Sequence, residues 1–323
     1  MIDVSIILVT YNSNWESIRI TLQSILKQKK VSMQIIIADD GSKITFDEKI
    51  KKLMELYGFD NYLIMNSSVN QGTVLNIANA MKNVKGKYTK TISPGDCMFD
   101  EITLYNWIKF MSINNTSVSF GDAIYYSRNQ KIVIYKTKGS PVNKVLFKSE
   151  KYSSKQFVDY IVANDTILGA AQLMKSDILM KYLKIIENKI IYAEDYMIRL
   201  MIFDSVNIVY YPNTVIWYEY GTGISTSKNS KWEKLLHTDF EVSNNLIINR
   251  KANSFMQKKY KIYLAFREKK VLKKVIKVLL FPSVLIYRFN FRRSKEYIAL
   301  STENFTEIEQ LFDWVDKGDG LCK

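Results

Sequence analysis

Val4-Ser-Ile-Ile-Leu-Val-Thr-Tyr-Asn12 and Met33-Gln-Ile-Ile-Ile-Ala-Asp-Asp-Gly-Ser42 decide the fold. Each is a short, continuous apolar run rich in β-branched residues, and each stops at polar, turn-forming residues. Such runs are expected for strands buried on both faces. Between them, Trp15 to Gln28 carries Ile18, Leu22, Ile25 and Leu26 at helical spacing. The alternation continues with a helix over Phe46 to Tyr57, a strand over Tyr62 to Asn66, a helix over Val74 to Val84 and a strand over Tyr88 to Ser93. Repeated strand–helix alternation predicts an open, mostly parallel α/β sheet flanked by helices. Ligands of such sheets gather beyond the carboxyl ends of the strands. Those ends carry Thr10-Tyr11-Asn12, Asp39-Asp40-Gly41 and Ser93-Pro94-Gly95-Asp96.

Farther on, Val118 to Phe120 and Lys131 to Tyr135 read as strands, and Asn164 to Leu183 returns to the sheet with another helix. Glu194-Asp195 opens a helical pattern through Tyr196, Ile198, Leu200, Met201 and Ile202, where acids suit the positive helix terminus. Val206 to Tyr211 is a late strand, followed by the glycine-containing loop Tyr218-Glu-Tyr-Gly-Thr-Gly-Ile-Ser-Thr226. After about residue 228 the pattern is helical only. The last helix, Asn304 to Lys317, sets Ile308, Leu311, Phe312 and Val315 on one face, with Asn304 and Glu307 spaced as a capping box.

Composition narrows the function. The 323 residues carry a net charge of +14, but residues 251–300 hold 14 Lys and Arg against two Glu, so most of the chain is nearly neutral. A uniformly basic chain is excluded, and 47% hydrophobic residues exclude overall disorder. Cys97 and Cys322 are the only cysteines and His237 the only histidine, which leaves no disulfide framework, thiolate zinc site or histidine-rich metal site. No basic region precedes the first apolar run, so a signal peptide is not expected. The longest uncharged apolar run, Val278 to Tyr287, is too short to span a bilayer.

In order and spacing, seven words resemble the family 2 inverting glycosyltransferases of the GT-A fold. They are Val9-Thr-Tyr-Asn12, Ala38-Asp-Asp-Gly-Ser42, Asn70-Gln-Gly-Thr-Val-Leu-Asn76, Gly86-Lys-Tyr88, Ser93-Pro-Gly-Asp96, Glu194-Asp195 and Tyr218-Glu-Tyr-Gly-Thr-Gly-Ile-Ser225. The resemblance spans roughly residues 3–226 and implies a GT-A-like, Rossmann-like nucleotide-sugar-binding and catalytic domain over 1–226. Residues 227–323 would then form a helical, basic C-terminal region.

The resemblance implies a uridine pocket at Thr10, Tyr11, Asp39 and Asp40, with Asn12, Asn70, Gly72, Ser93 and Gly95 completing the nucleotide site. An aspartate at a strand end can accept a nucleobase N–H while an aromatic stacks on the ring. The blander alternative is a strand-to-helix turn with Ser42 as N-cap. At Ser93-Pro-Gly-Asp96 the family usually has two or three acids holding a divalent metal on the diphosphate. Here only Asp96 remains, as one carboxylate ligand for Mg²⁺ or Mn²⁺, which one or two protein carboxylates plus phosphate oxygens can hold. Alternatively, Pro94-Gly95 makes a turn and Asp96 caps the next helix. Asp195, paired with Glu194, carries over as the base that deprotonates the acceptor hydroxyl. Gly221, Gly223, Ser225 and Thr226 could cradle phosphates, although Gly221 stands near where the family has a histidine.

In the basic segment, lysines such as Lys269, Lys270, Lys273, Lys274 and Lys277 interleave with Val271, Leu272, Val275, Ile276 and the 278–287 run. That pattern describes helices lying in an anionic membrane interface. A solvated face packed on the catalytic domain is the alternative. No nucleic-acid module accompanies the charge, so nucleic acid is not an expected partner. Together these readings predict a cytoplasmic enzyme, peripheral on the inner face of the cell membrane. It would move a sugar from a UDP-sugar donor to a glycan hydroxyl, on a lipid-diphosphate-linked acceptor in bacterial capsule or surface polysaccharide assembly. The rival is a nucleotide-binding scaffold of the same fold with a degraded site, suggested by Ser93 and Gly95.

Overall fold

A computed structural model describes residues 2–128, 132–134, 141–148, 153–221, 230–266, 268–289 and 305–316. Both deciding runs are strands: β1 (Val4–Thr10) and β2 (Met33–Asp39) pair in parallel from Val4↔Met33 to Thr10↔Asp39. Their side chains alternate between two layers. Ile6, Leu8, Ile35 and Ile37 face α1 (Trp15–Leu26) and α2 (Asp47–Leu56), packing with Ile18, Leu22, Ile50 and Leu53. Ile7, Ile36 and Ala38 face the other way, onto Val74 and Ile77 of α3 (Thr73–Met81) and Leu179 and Leu183 of α6 (Ser176–Ile186). Burial on both faces is why neither strand shows polar alternation.

The sheet order is β3-β2-β1-β4-β8-β6-β9-β5, with β7 on β6. β3 (Tyr62–Asn66), β2, β1 and β4 (Tyr88–Ile92) are mutually parallel, as the sequence predicts. Beyond them the sheet is mixed. β8 (Gln172–Lys175) runs antiparallel to both β4 and β6 (Val118–Ser127). β9 (Ile208–Glu219) is parallel to β6, and the two-residue β5 (Cys97–Met98) is antiparallel to β9. β7 (Ile132–Ile134) pairs antiparallel with the end of β6. The β6–β9 register shifts around Asp122. Both strands run well past the short spans that the sequence suggests, because their outer halves pair with each other from Asp122↔Thr214 to Tyr126↔Glu219. α4 (Thr103–Ile113) buries Trp107 against this part of the sheet.

α5 (Ser154–Phe157), opened by a Ser153–Gln156 capping box, continues into a π turn over Val158–Val162. Glu194–Tyr196 form a single 3-10 turn leading into α7 (Met197–Phe203), so the acid pair sits just ahead of the helix proper. The C-terminal region is helical: α8 (Ser230–Asn249), α9 (Phe255–Ala265) and α10 (Lys270–Leu280). Its core is continuous with the sheet's, since Ile247, Tyr260, Tyr263, Leu264 and Phe281 pack in one cluster with Phe157, Met201 and Phe203. The last helix, Phe305–Asp316, buries Leu311 and Val315 against Ile20, Cys97, Tyr126 and Trp217. Asn304, the expected cap, lies outside the described residues. β9 ends at Glu219 and α8 begins at Ser230, with shared core on both sides of this change.

Candidate functional site

The ends of β1 and β2 form one hydrogen-bonded unit. Thr10 Oγ1 donates to Asp39 Oδ2 (2.7 Å), Ser42 N–H to Asp39 Oδ1 (2.7 Å) and Ser42 Oγ to Asp39 Oδ2 (2.6 Å). Asn12, held at φ 47°, bridges the two loops: its N–H donates to Ser42 Oγ and its side chain accepts from Lys43 N–H. Ser42 is therefore a brace for Asp39 and not a helix N-cap, since α2 begins only at Asp47. Three donors leave the carboxylate room for one further bond. It lines a recess with Thr10, Ser42, Phe46, Asp47 and Asn66, and Tyr11 beside it is 46% exposed.

Asp40, Asn70 and Gly72 do something else. Both Asp40 oxygens are taken, by Gln71 N–H (2.8 Å) and Gly72 N–H (2.9 Å), and burial pushes this carboxyl up against the opposing pull of those amides. Asn70 Oδ1 also accepts from Gly72 N–H. Gly72 lies at φ 90°, and a Cβ there would stand 2.4 Å from Ile191 Cγ2 and 2.7 Å from Ile191 O. Asp40 and Gly72 thus spend their polar groups fixing the 70–74 loop against residue 191, where the sequence reading has them touching nucleotide.

At the end of β4, Ser93 is exposed. Gly95 is buried at φ 97°, with its N–H on Thr21 Oγ1 (2.9 Å) and Ser17 O (3.1 Å). A Cβ at Gly95 would fall 2.0 Å from Glu219 Oε2. The carboxylate of Glu219, at the end of β9, therefore fills the space of the acid that the resemblance leads one to expect at position 95. Gly95 is thus closely packed, with its N–H already bonded inside the protein. Glu219 is in turn held by Arg128 (2.9 Å), whose guanidinium also donates to Ser17 Oγ (2.8 Å). Asp96 caps no helix. It is 3% exposed and accepts from Glu219 N–H (3.0 Å), and burial, aided by the Glu219 charge, pushes its carboxyl up to about 8.

Lys90, fully buried on β4, lies within electrostatic reach of both Asp96 and Glu194. Its ammonium donates to Thr91 O (2.7 Å) and Ala170 O (2.5 Å), and burial pushes it down to about 7. These residues do not fit a divalent cation held by the protein. Burial holds the Asp96 carboxyl toward its neutral form, and the buried Lys90 amine lies within electrostatic reach of it. Glu219 is already bound by a guanidinium. Among the described residues no group of three acids, histidines or cysteines could hold a metal, and residues 222–229 contain no acid or histidine.

The acid pair lines a second recess with Thr89, Thr91, Gly169 and Gln172. Glu194 and Asp195 are half-buried. Burial raises both carboxyls; the Asp195 charge adds to the effect on Glu194, and Asp239 adds to that on Asp195. Gly169 abuts them, since a Cβ there would lie 3.7 Å from Asp195 Cβ. The 70–74 loop bonds the chain beside both acids: its amides donate to Asp40, next to Asp39, and Val74 N–H donates to Ile191 O (3.0 Å), four residues ahead of Asp195. Of the expected phosphate loop, Gly221 is exposed at φ 97°, and Gly223, Ser225 and Thr226 lie outside the described residues.

Sequence reasoning misses Lys90, Arg128, Glu219 and Asp239 as site residues. Lys90 leaves a signal, a cation inside a strand whose neighbours Tyr88 and Ile92 are core; the others depend on contacts between distant segments.

The fold recurs in known structures. Residues 1–349 of TarS from S. aureus, solved in complex with UDP-GlcNAc, match with TM-score 0.57 and 15% identity, over 99% of this chain and 84% of that one. A longer TarS chain matches at TM-score 0.56 and 14% identity over 82% of this chain, which spans only 44% of it. The mannosyltransferase PcManGT from Pyrobaculum calidifontis, in complex with GDP-Man and Mn²⁺, matches at 0.55 and 11% identity, over 98% and 85%. No curated protein matches in sequence. The family model for glycosyl transferase family 2 matches residues 5–179, more than half of the chain, and with the GT-A-like sheet and its strand-end acids it identifies this protein as a member of glycosyl transferase family 2.

Proposed function

We propose that the chain transfers a hexose or N-acetylhexosamine, with inversion, from a UDP-sugar to a glycan hydroxyl. The observation that carries this reading is the braced Asp39 in one recess and Asp195 in another, with the 70–74 loop bonded to the residues beside each. Asp39, with one acceptor position left, would take the N–H of the uracil ring while Tyr11 covers it. Asp195 would accept the proton of the attacking hydroxyl as that oxygen bonds to the anomeric carbon. The bond from that carbon to the diphosphate oxygen breaks on the opposite face, and UDP departs. A general base must be ionised at working pH, and a raised carboxyl pKa makes it the stronger proton acceptor once ionised. Catalysis by a scaffold with a degraded site is not expected, so turnover separates the two readings: UDP should be released from at least one UDP-sugar when acceptor is supplied. Binding of UDP-sugars with no turnover on any of them would favour the scaffold.

The reading extends to a lipid-diphosphate-linked acceptor at the inner membrane face, as in surface polysaccharide assembly, and α10 supports it. Val271, Val275 and Leu279 recur every fourth residue and are 78%, 50% and 74% exposed. Ile276 and Leu280, on another side of the helix, pack on the core. Lys273, Lys274 and Lys277 lie along the remaining side, and Lys277 is pushed down to about 8 by burial, Arg288 and Lys273. No helix among the described residues is long and apolar enough to cross a membrane. An exposed apolar stripe beside crowded lysines suits an anionic interface. Replacing Lys273, Lys274 and Lys277 with Gln should weaken binding to phosphatidylserine-containing vesicles by about 3 kcal/mol, roughly a hundredfold. UDP affinity should stay unchanged, and equal vesicle binding by wild type and variant would remove the membrane assignment.

A further inference from the structure

We infer that Asp239 is the positioning residue for the acceptor-side base, which makes α8 part of the catalytic machinery. The inference rests on the reading of Asp195 given above and deepens it. Asp239 is 2% exposed and points from α8 at the segment that leads into the acid pair. Its Oδ1 accepts Ile191 N–H (3.0 Å), and its Oδ2 accepts Tyr192 N–H (2.8 Å) and Ala193 N–H (3.0 Å). Three consecutive amides thus converge on one carboxylate. Burying a charge is costly unless it is fully hydrogen-bonded, and charge-assisted bonds to amides offset that cost.

Fixing residues 191–193 fixes the backbone within two residues of Asp195. The same face of α8 grips side chains on both sides of the acids. Tyr192 packs edge-on to Trp232 (5.0 Å) and Tyr196 edge-on to Phe240 (5.7 Å). Phe240 also carries the Arg199 guanidinium at 4.3 Å, and Arg199 donates to Asn244 of α8 (2.8 Å). From the opposite side, Gly72 and Val74 press on Ile191. Residues 191–193 are therefore clamped between the 70–74 loop and the helix that follows residues 222–229. A catalytic group displaced by about 1 Å can lose roughly a hundredfold in rate, so a clamp this close to the base sets its efficiency.

The test compares Asp239→Ala and Asp239→Asn with wild type. It measures kcat and KM on a UDP-sugar that wild type turns over, UDP affinity by calorimetry, and amide exchange at residues 191–193. Asp239→Ala should lower kcat by about a hundredfold while UDP affinity changes less than about threefold. Exchange at 191–193 should speed up. Asp239→Asn keeps an acceptor for part of the clamp and should fall between the two. Asp195 is faced by Glu194 on its own turn and by Tyr160, Tyr196 and Asp239, with Arg199 behind the tyrosines. Losing the Asp239 charge should therefore move the acid limb of kcat to lower pH in both variants, which a merely structural role would not do. An unmoved pH profile, an unchanged kcat, or a kcat loss matched by an equal loss of UDP affinity would overturn the inference. If Asp239→Ala does not fold, Asp239→Asn carries the same three outcomes. Wild type with no turnover on any UDP-sugar would sink the functional reading instead, and amide exchange would still decide whether Asp239 holds the segment.

Discussion

Asp195→Asn should lower kcat by about 10³-fold, near 4 kcal/mol of transition-state stabilisation, with UDP affinity within twofold of wild type. The amide keeps the shape of the side chain and can still meet the acceptor hydroxyl, but it cannot take the proton. The recess around it, formed by Thr89, Thr91, Gly169 and Gln172, holds no second carboxylate except Glu194. Glu194 is the weaker candidate for relief, because burial, the larger cause of its raised carboxyl, holds it toward its neutral form even with the Asp195 charge removed. The pH profile of the wild type carries the same information. Burial raises the Asp195 carboxyl, the ionised form is the active one, and so activity should fall as pH drops through that raised value. The acid limb should lie above the roughly 3.9 of a free aspartate. A variant that retained turnover would remove Asp195 as the base.

Asp39→Ala should weaken UDP binding by about 2 kcal/mol, roughly thirtyfold, through loss of a bond between the base and an ionised acceptor. The same change strips the acceptor from Thr10 Oγ1, Ser42 N–H and Ser42 Oγ, so the protein should also lose about 1–3 kcal/mol of stability. Calorimetry on the folded fraction separates the two effects. Thr10→Val is the useful companion, since it removes one brace and leaves the carboxylate in place. UDP affinity equal to wild type in Asp39→Ala would move the base to another pocket.

The half of the site built from strand ends is legible in the sequence, because a buried parallel strand must end in polar residues and the ligand must lie there. Thr10 and Asp39 stand out in this way, whereas the acid pair follows no strand and is singled out by the family resemblance. The period of the apolar residues also gives the first three helices to within a few residues. What the sequence cannot show is which polar groups are already spent. Asp39 and Asp40 are adjacent and chemically alike, yet one lines a recess while the other is consumed by the amides of Gln71 and Gly72. The glycine at position 95 reads as a missing acid, whereas in space Glu219 takes its room from a strand more than a hundred residues away. Asp239 lies in a region with no family word near it, and its role depends on α8 packing across residues 191–193. Those contacts are tertiary, and no local pattern encodes them.

The basic surplus can be placed on the same physical grounds. In the chain it falls on α9, α10 and the residues after them, and on α10 the exposed stripe of Val271, Val275 and Leu279 accompanies it. α8, at the start of the same region, instead serves the site.

The most direct test is a ¹H NMR time course of the full chain with a panel of α-linked UDP-sugars and a polyprenyl-diphosphate-linked glycan. The account predicts that one donor is consumed with release of UDP and that the new glycosidic bond shows the β-anomeric coupling at its first appearance. Product of retained α configuration, or donors that bind without any being consumed, would contradict it.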